Sequence, residues 1–187
     1  MLLRAGVPGW PAVPRALRLA GGIFALVAAW LALIHARNMG LNFLLSILLL
    51  VWVADVFAYF AGRAFGLRFT RRKLAPGISP GKSWEGVWGG MVGVLALAVC
   101  WVLADGYFAA RTPSLFTLLA TKGWLILAMG VVLLAAMSVV GDLVESLVKR
   151  SAGAKDSSAL LPGHGGVLDR VDALLPTLPL AMLLVSL

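Results

Sequence analysis

SVVGDLVESLVKRSAGAKDSSALLPGHGGVLDRVD, residues 138–172, decides how this chain is read. It holds Asp142, Glu145, Asp156, Asp169 and Asp172, five of only eight acidic residues in a chain of 187. Lys149, Arg150, Lys155 and Arg170 are interleaved with them, and His164 stands between Gly163 and Gly165. Carboxylates gathered this closely call for a cation, and basic groups beside them call for an anion. A divalent metal and a phosphate meet both demands. The stretch also continues an apolar run over residues 124–141, roughly the length that crosses a bilayer. It therefore describes a membrane helix that ends in a polar site.

Composition agrees. The chain is 61% apolar and 13% charged, with a mean hydropathy of +0.96. A soluble domain carries about 25% charged residues, so this is an integral membrane protein with no room for a soluble domain. The formal net charge of +8 lies in loops between apolar segments. That placement suits anionic headgroups and phosphates and excludes a nucleic-acid-binding face. Cys100 is the single cysteine, so an intrachain disulfide and a thiolate metal site are both excluded; its place in an apolar run predicts a small core residue.

Hydropathy predicts an all-α, polytopic transmembrane bundle of about five spans, at residues 19–36, 41–62, 87–104, 124–141 and 171–187. Residues 1–18, with Pro8, Pro11 and Pro14, read as an irregular segment at the membrane face. The run after them is too long for the core of a signal peptide. Gly89, Gly90 and Gly93 predict close helix approach near the start of the third span. SLFTLLA (114–120) predicts a short interfacial helix, and Pro176 and Pro179 predict a kink in the fifth span. Trp10, Trp84, Trp88 and Trp124 fall where interface anchors belong. With the N-terminus in the cytoplasm, Arg37, Arg111 and Lys122 face outward and the other 13 of the 16 Lys and Arg face inward. The whole chain is thus one membrane domain with its polar region, residues 138–172, on the cytoplasmic side.

At 3.6 residues per turn, Asp142, Glu145, Ser146 and Lys149 share one helix face, and Asp169 and Asp172 share another. Two helix ends then present three aspartates to one pocket. A surface stripe of paired charges is the plainer alternative. The run from Pro162 to Gly166 weighs against it, because glycines let backbone N–H groups approach and cradle an anion. Asp55 lies within the second span, a depth at which an acid usually faces a partner or a water-filled cavity. Ser79-Pro80-Gly81-Lys82-Ser83 does not make a P-loop, since Pro76 stands where glycine is required; Lys82 and Ser83 remain candidates to touch phosphate.

The residues SLVKR (146–150), Lys155-Asp156 and LPGHGGVLDRVD (161–172) resemble the signature of the CDP-diacylglycerol synthase (phosphatidate cytidylyltransferase) family, without a mismatch over the 27 positions 146–172. Asp55 with AYFAGRAFG (58–66) and ISPGKSWEG (78–86) resemble the same family, and the similarity covers roughly residues 45–187. Ser83 stands where the family commonly has threonine, and members usually carry further N-terminal helices, so the chain looks like the C-terminal part of one.

The resemblance implies that CTP and phosphatidic acid give CDP-diacylglycerol and pyrophosphate at a bacterial inner membrane. It also implies Mg²⁺, a second cation such as K⁺, and a homodimer. It carries the metal-binding role onto Asp142, Asp169 and Asp172. Lys149, Arg150, Lys155, Arg170 and His164 are the catalytic candidates; Lys82, Ser83, Asp55, Gly165 and Gly166 are the substrate-binding ones. An inactive or truncated homologue is the alternative, and a cation or proton transporter a remoter one, since it requires acids spread through the membrane depth.

Overall fold

The computed structural model describes residue 7 and residues 9–70, 72–158, 160 and 165–187. His164, Pro162, Gly163, Arg71, Pro8 and Arg4 lie outside the described residues.

Four helices are long and apolar enough to cross a membrane: α1 (Arg15–Met39), α2 (Leu41–Phe65), α3 (Trp84–Tyr107) and α5 (Trp124–Ser151). Each has at least 24 residues, and at about 1.5 Å per residue that exceeds a ~30 Å hydrocarbon core. Their outer faces are as apolar as their inner ones. Phe24, Trp30, Val92, Leu103 and Leu125 are all more than 60% exposed, which suits lipid and not water. Cys100 is exposed and belongs to this outward surface, not to the core its apolar run predicts.

The core runs down the centre of the bundle: Phe43, Ile47 and Leu50 of α2, Val94 and Ala98 of α3, and Val131 and Leu134 of α5. Two shorter helices complete it. Helix α4 (Leu115–Lys122) is the short helix its sequence predicts, and it buries Leu115, Phe116 and Leu119 completely in the core. A polar knot fixes it. Asp105 accepts from Ser114 N (3.0 Å) and Thr117 Oγ1 (2.6 Å), and Asn42 joins Asp105 (2.9 Å), the Thr112 carbonyl (2.8 Å) and Trp101 Nε1 (3.0 Å).

The expected fifth span is not one helix. A single turn, α6 (Leu168–Val171), is followed by α7 (Leu174–Ser186). Thirteen residues rise about 20 Å, short of a span. The break falls at Asp172-Ala173 and not at a proline; Pro176 sits in the first turn of α7, where a missing N–H is tolerated. Lys122 Nζ donates to the carbonyls of Leu184 (3.4 Å) and Val185 (2.8 Å), so α4 meets the end of α7 and the two short helices make up one layer.

Helices α2 and α3 pack most closely, and glycine is the reason. A Cβ on Gly86 or Gly90 would stand 2.8 Å from the carbonyl oxygen of Ala58 or Ala54, respectively. The basic loop between them contains a feature absent from the expected all-α plan, an antiparallel hairpin of β1 (Lys73–Ala75) and β2 (Ser79–Ser83) with Lys73 opposite Ser83. It sits directly on the start of α3 and is the only sheet among the described residues.

Candidate functional site

Helix α5 does not stop where the apolar run ends; it continues to Ser151 and carries the predicted polar stripe with it. Ser146 Oγ donates to Asp142 Oδ1 at 3.3 Å, and Lys149 Nζ stands 2.6 Å from Glu145 Oε2, one turn away. Two other segments complete the site. Lys82, projected by β2, pairs with Asp142. From α6, Asp169 Oδ1 accepts from Lys149 Nζ at 2.6 Å. Lys149 is therefore clamped between two carboxylates, with its own side chain only 17% exposed.

Asp169 is the centre of the loop that precedes it. Its carboxylate also accepts from Ser157 N and Oγ (both 3.0 Å to Oδ2) and from Gly166 N (2.7 Å). Burial opposes its ionisation, but the Lys149 ammonium and the N–H groups of Gly166 and Ser157 outweigh it and hold the carboxyl well below the usual carboxylate range. The glycines follow from this. Gly165 has φ +77°, and a Cβ there would lie 2.6 Å from Asp169 Oδ2; one on Gly166 would lie 2.0 Å from Ser157 Oγ. Of the run read as an anion cradle, Gly166 donates its N–H to the chain's own Asp169, and Pro162, Gly163 and His164 lie outside the described residues.

Asp172 has different company. Burial pushes its carboxyl up to about 6, and the negative charges of Asp142 and Asp55 push the same way. Asp55, whose partner the sequence left open, lies within electrostatic reach of Asp142 and Lys82. The structure thus forms two groups, Asp55–Asp142–Asp172 with Lys82, and Asp169–Glu145 with Lys149. Among the described residues, no three acidic or histidine side chains come close enough to hold one metal ion. The donor chemistry nevertheless fits a divalent ion: the oxygens are hard carboxylates, three of them repel one another, and lysine ammoniums supply the counter-charge.

Ser83 is occupied as the N-cap of α3, accepting from Gly86 N at 3.2 Å. Arg150 and Lys155 are exposed beyond the stripe, and Arg170 lies on the outer side of α6. Two acids that were not among the candidate metal or substrate residues are buried. Glu85 accepts from Phe69 N (3.1 Å), Thr70 N (2.7 Å) and Thr70 Oγ1 (2.9 Å), which ties the approach to the hairpin down onto α3. Glu145 is 7% exposed, and neither of its oxygens accepts a well-aligned hydrogen bond; Lys149 is its ion-pair partner, and Asp169 lies close by. The signal for both was scarcity: any acid in so apolar a chain has a use.

Beside the acids, a cavity of about 710 Å³ opens between the first turns of α1, the end of α5 and the start of α7. Its wall is largely apolar, and Glu145 and Asp172 both reach it.

The Cytidylyltransferase family model matches residues 10–187. A phosphatidate cytidylyltransferase of Haemophilus influenzae is 51% identical over 145 residues, 78% of this chain and 46% of the relative. One of Pseudomonas aeruginosa is 44% identical over 164 residues, 87% of this chain and 55% of the relative. One of Staphylococcus epidermidis is 40% identical over 150 residues, 80% and 51% of the two chains. The chain spans about half the length of the curated relatives it matches.

Proposed function

This chain belongs to the cytidylyltransferase family, and from that premise we propose that it carries the catalytic end of a phosphatidate cytidylyltransferase, converting CTP and phosphatidic acid into CDP-diacylglycerol and pyrophosphate. The observation that supports this reading best is the junction of two environments. The lysine–carboxylate network of Lys82, Asp142, Lys149 and Asp169 adjoins the wall of a cavity bounded by membrane-spanning helices. A reaction between a water-soluble nucleotide and a lipid needs that arrangement.

A phosphate monoester is largely dianionic near neutral pH, so its oxygen is already a nucleophile and no strong general base is required. The lipid oxygen attacks the α-phosphorus of CTP, the bond from that phosphorus to the bridging oxygen breaks, and pyrophosphate leaves. The barrier is the approach of two anions. Lys82 and Lys149 are held in fixed positions by their carboxylates, so their charge is preorganised. Arg150, Lys155, Arg170 and His164 would add contacts to the phosphates. Mg²⁺ and a second ion such as K⁺ would together be held by Asp142 and Asp172 of one acid group and Asp169 of the other, and would supply screening and leaving-group stabilisation. The basic end faces the cytoplasm of a bacterial inner membrane in this reading, and the protein works as a homodimer.

Asp172→Asn tests it. Asp172 makes one short backbone contact, to Ala173 N at 2.7 Å, so the substitution spares the network that Asp169 supports. Cytidylyl transfer should fall about a hundredfold or more, and the Mg²⁺ concentration for half-maximal rate should rise. Near-normal turnover at limiting Mg²⁺ would remove Asp172 from the metal-binding set.

A further inference from the structure

The cavity between α1, α5 and α7 has a cationic group that nothing above employs. Arg18, in the first turn of α1, reaches its wall, and the guanidinium Nε is buried without a hydrogen-bond partner among the described residues. An unmatched buried donor is costly, and a guanidinium can only donate, so what satisfies it must be an acceptor, preferably an anion. Glu145 lines the same cavity, yet it is held by Lys149 and forms no ion pair with Arg18. Arg15 stands at the same mouth, adding a second positive charge. Apart from Asp172, the rest of the wall, including Leu26, Val144 and Val148, is apolar. An occupant that matches both halves is anionic at one end and aliphatic at the other.

We propose that this cavity seats the diacyl phosphate monoester itself, with Arg18 gripping the phosphate and the acyl chains running along the α1 side into the bilayer. Charge complementarity selects it: a neutral diacyl lipid leaves Arg18 unmatched, and a free phosphate leaves the apolar wall bare. Asp172 lies on the same wall, so the phosphate held by Arg18 is delivered beside the acid cluster. This assignment rests on the lipid-substrate reading above and adds the residue that recognises the headgroup.

The test uses the full-length protein in phosphatidylcholine nanodiscs and a phosphatidic acid bearing a diazirine on one acyl chain. Adducts should map to Leu26 and Val144. Arg18→Gln should raise the probe concentration needed for half-maximal labelling by about tenfold or more. Arg18→Lys should recover much of the loss, which separates recognition from misfolding, and Arg37→Gln at the far end should change nothing. Unlabelled phosphatidic acid should compete, while diacylglycerol and inorganic phosphate should not. Labelling indifferent to Arg18→Gln, equal competition by diacylglycerol, or no adducts on cavity residues because another segment fills the space would each overturn the proposal. Label transfer from CTP, followed in the same samples, keeps the two readings apart. Synthesis of CDP-diacylglycerol with Arg18-independent labelling rejects the site alone. Arg18-dependent labelling without synthesis supports the site and rejects the reaction.

Discussion

Lys149 shows at the scale of one residue what the site is built to hold. Its ammonium lies 2.6 Å from both Glu145 and Asp169, whose side chains are 6% and 9% exposed. Removing the cation that bridges two buried carboxylates leaves both without that counter-charge, a situation that typically costs about 3–5 kcal/mol. Lys149→Gln should therefore lower thermal stability in micelles as well as activity, whereas Arg150→Gln, exposed one position on, should leave stability unchanged. Adding Glu145→Gln to Lys149→Gln should restore part of the loss, because one of the two orphaned charges is gone. Equal unfolding temperatures for Lys149→Gln and the native chain would dismiss the clamp. Half of this clamp was legible in the sequence. Glu145 and Lys149 are one helical turn apart, and periodicity puts them together. Asp169 is 20 positions away, and only the fold brings it to Lys149. The three-residue spacing of Asp169 and Asp172 predicted a shared face, but α6 is a single turn and the two acids have different partners.

At the scale of elements, the α2–α3 pair depends on missing side chains. Gly90→Ala would drive a methyl group to 2.8 Å from the Ala54 carbonyl, and backbone cannot step aside as a flexible side chain does. The pair must separate, and because α2 carries Asp55 and α3 carries the hairpin with Lys82, activity should fall along with stability. Gly106→Ala, with nothing within 4 Å, should be neutral or stabilising by about 0.5–1 kcal/mol through helix propensity. Thermal unfolding of the two variants decides; a Gly90→Ala as stable as the native chain would mean that the helices do not touch there. The glycine spacing announced this contact. The hairpin was not announced, because its strands are short, lack apolar alternation and include Pro80 and Gly81. Hydropathy also misjudged α7. Mean apolar character cannot distinguish one long span from a turn and a shorter helix.

Over the whole molecule, charge is sorted by end. Arg37 closes α1, Arg111 adjoins Thr112, whose side chain packs against Gly40, and Lys122 closes α4; Lys82 and Lys149 lie together at the opposite end. By the positive-inside rule we propose that the Lys82 end faces the cytoplasm. In a Cys100→Ala background, Ala152→Cys should react with an impermeant thiol reagent only after the inner face is opened, and Ala110→Cys should react in intact cells. Ser157, the more obvious loop position, is avoided because it donates to Asp169. Reversed labelling would put the site on the wrong side for a nucleotide. The most direct measurement follows phosphorus itself. Micelles of phosphatidic acid, Mg²⁺ and the protein are given CTP labelled at either the α- or the γ-phosphorus. The account predicts that α-label enters the lipid phase in proportion to phosphatidic acid, while γ-label stays in water as pyrophosphate. Entry of γ-label into lipid would mean phosphoryl transfer, and α-label that remains in water with phosphatidic acid and Mg²⁺ present would contradict the cytidylyl transfer assigned here.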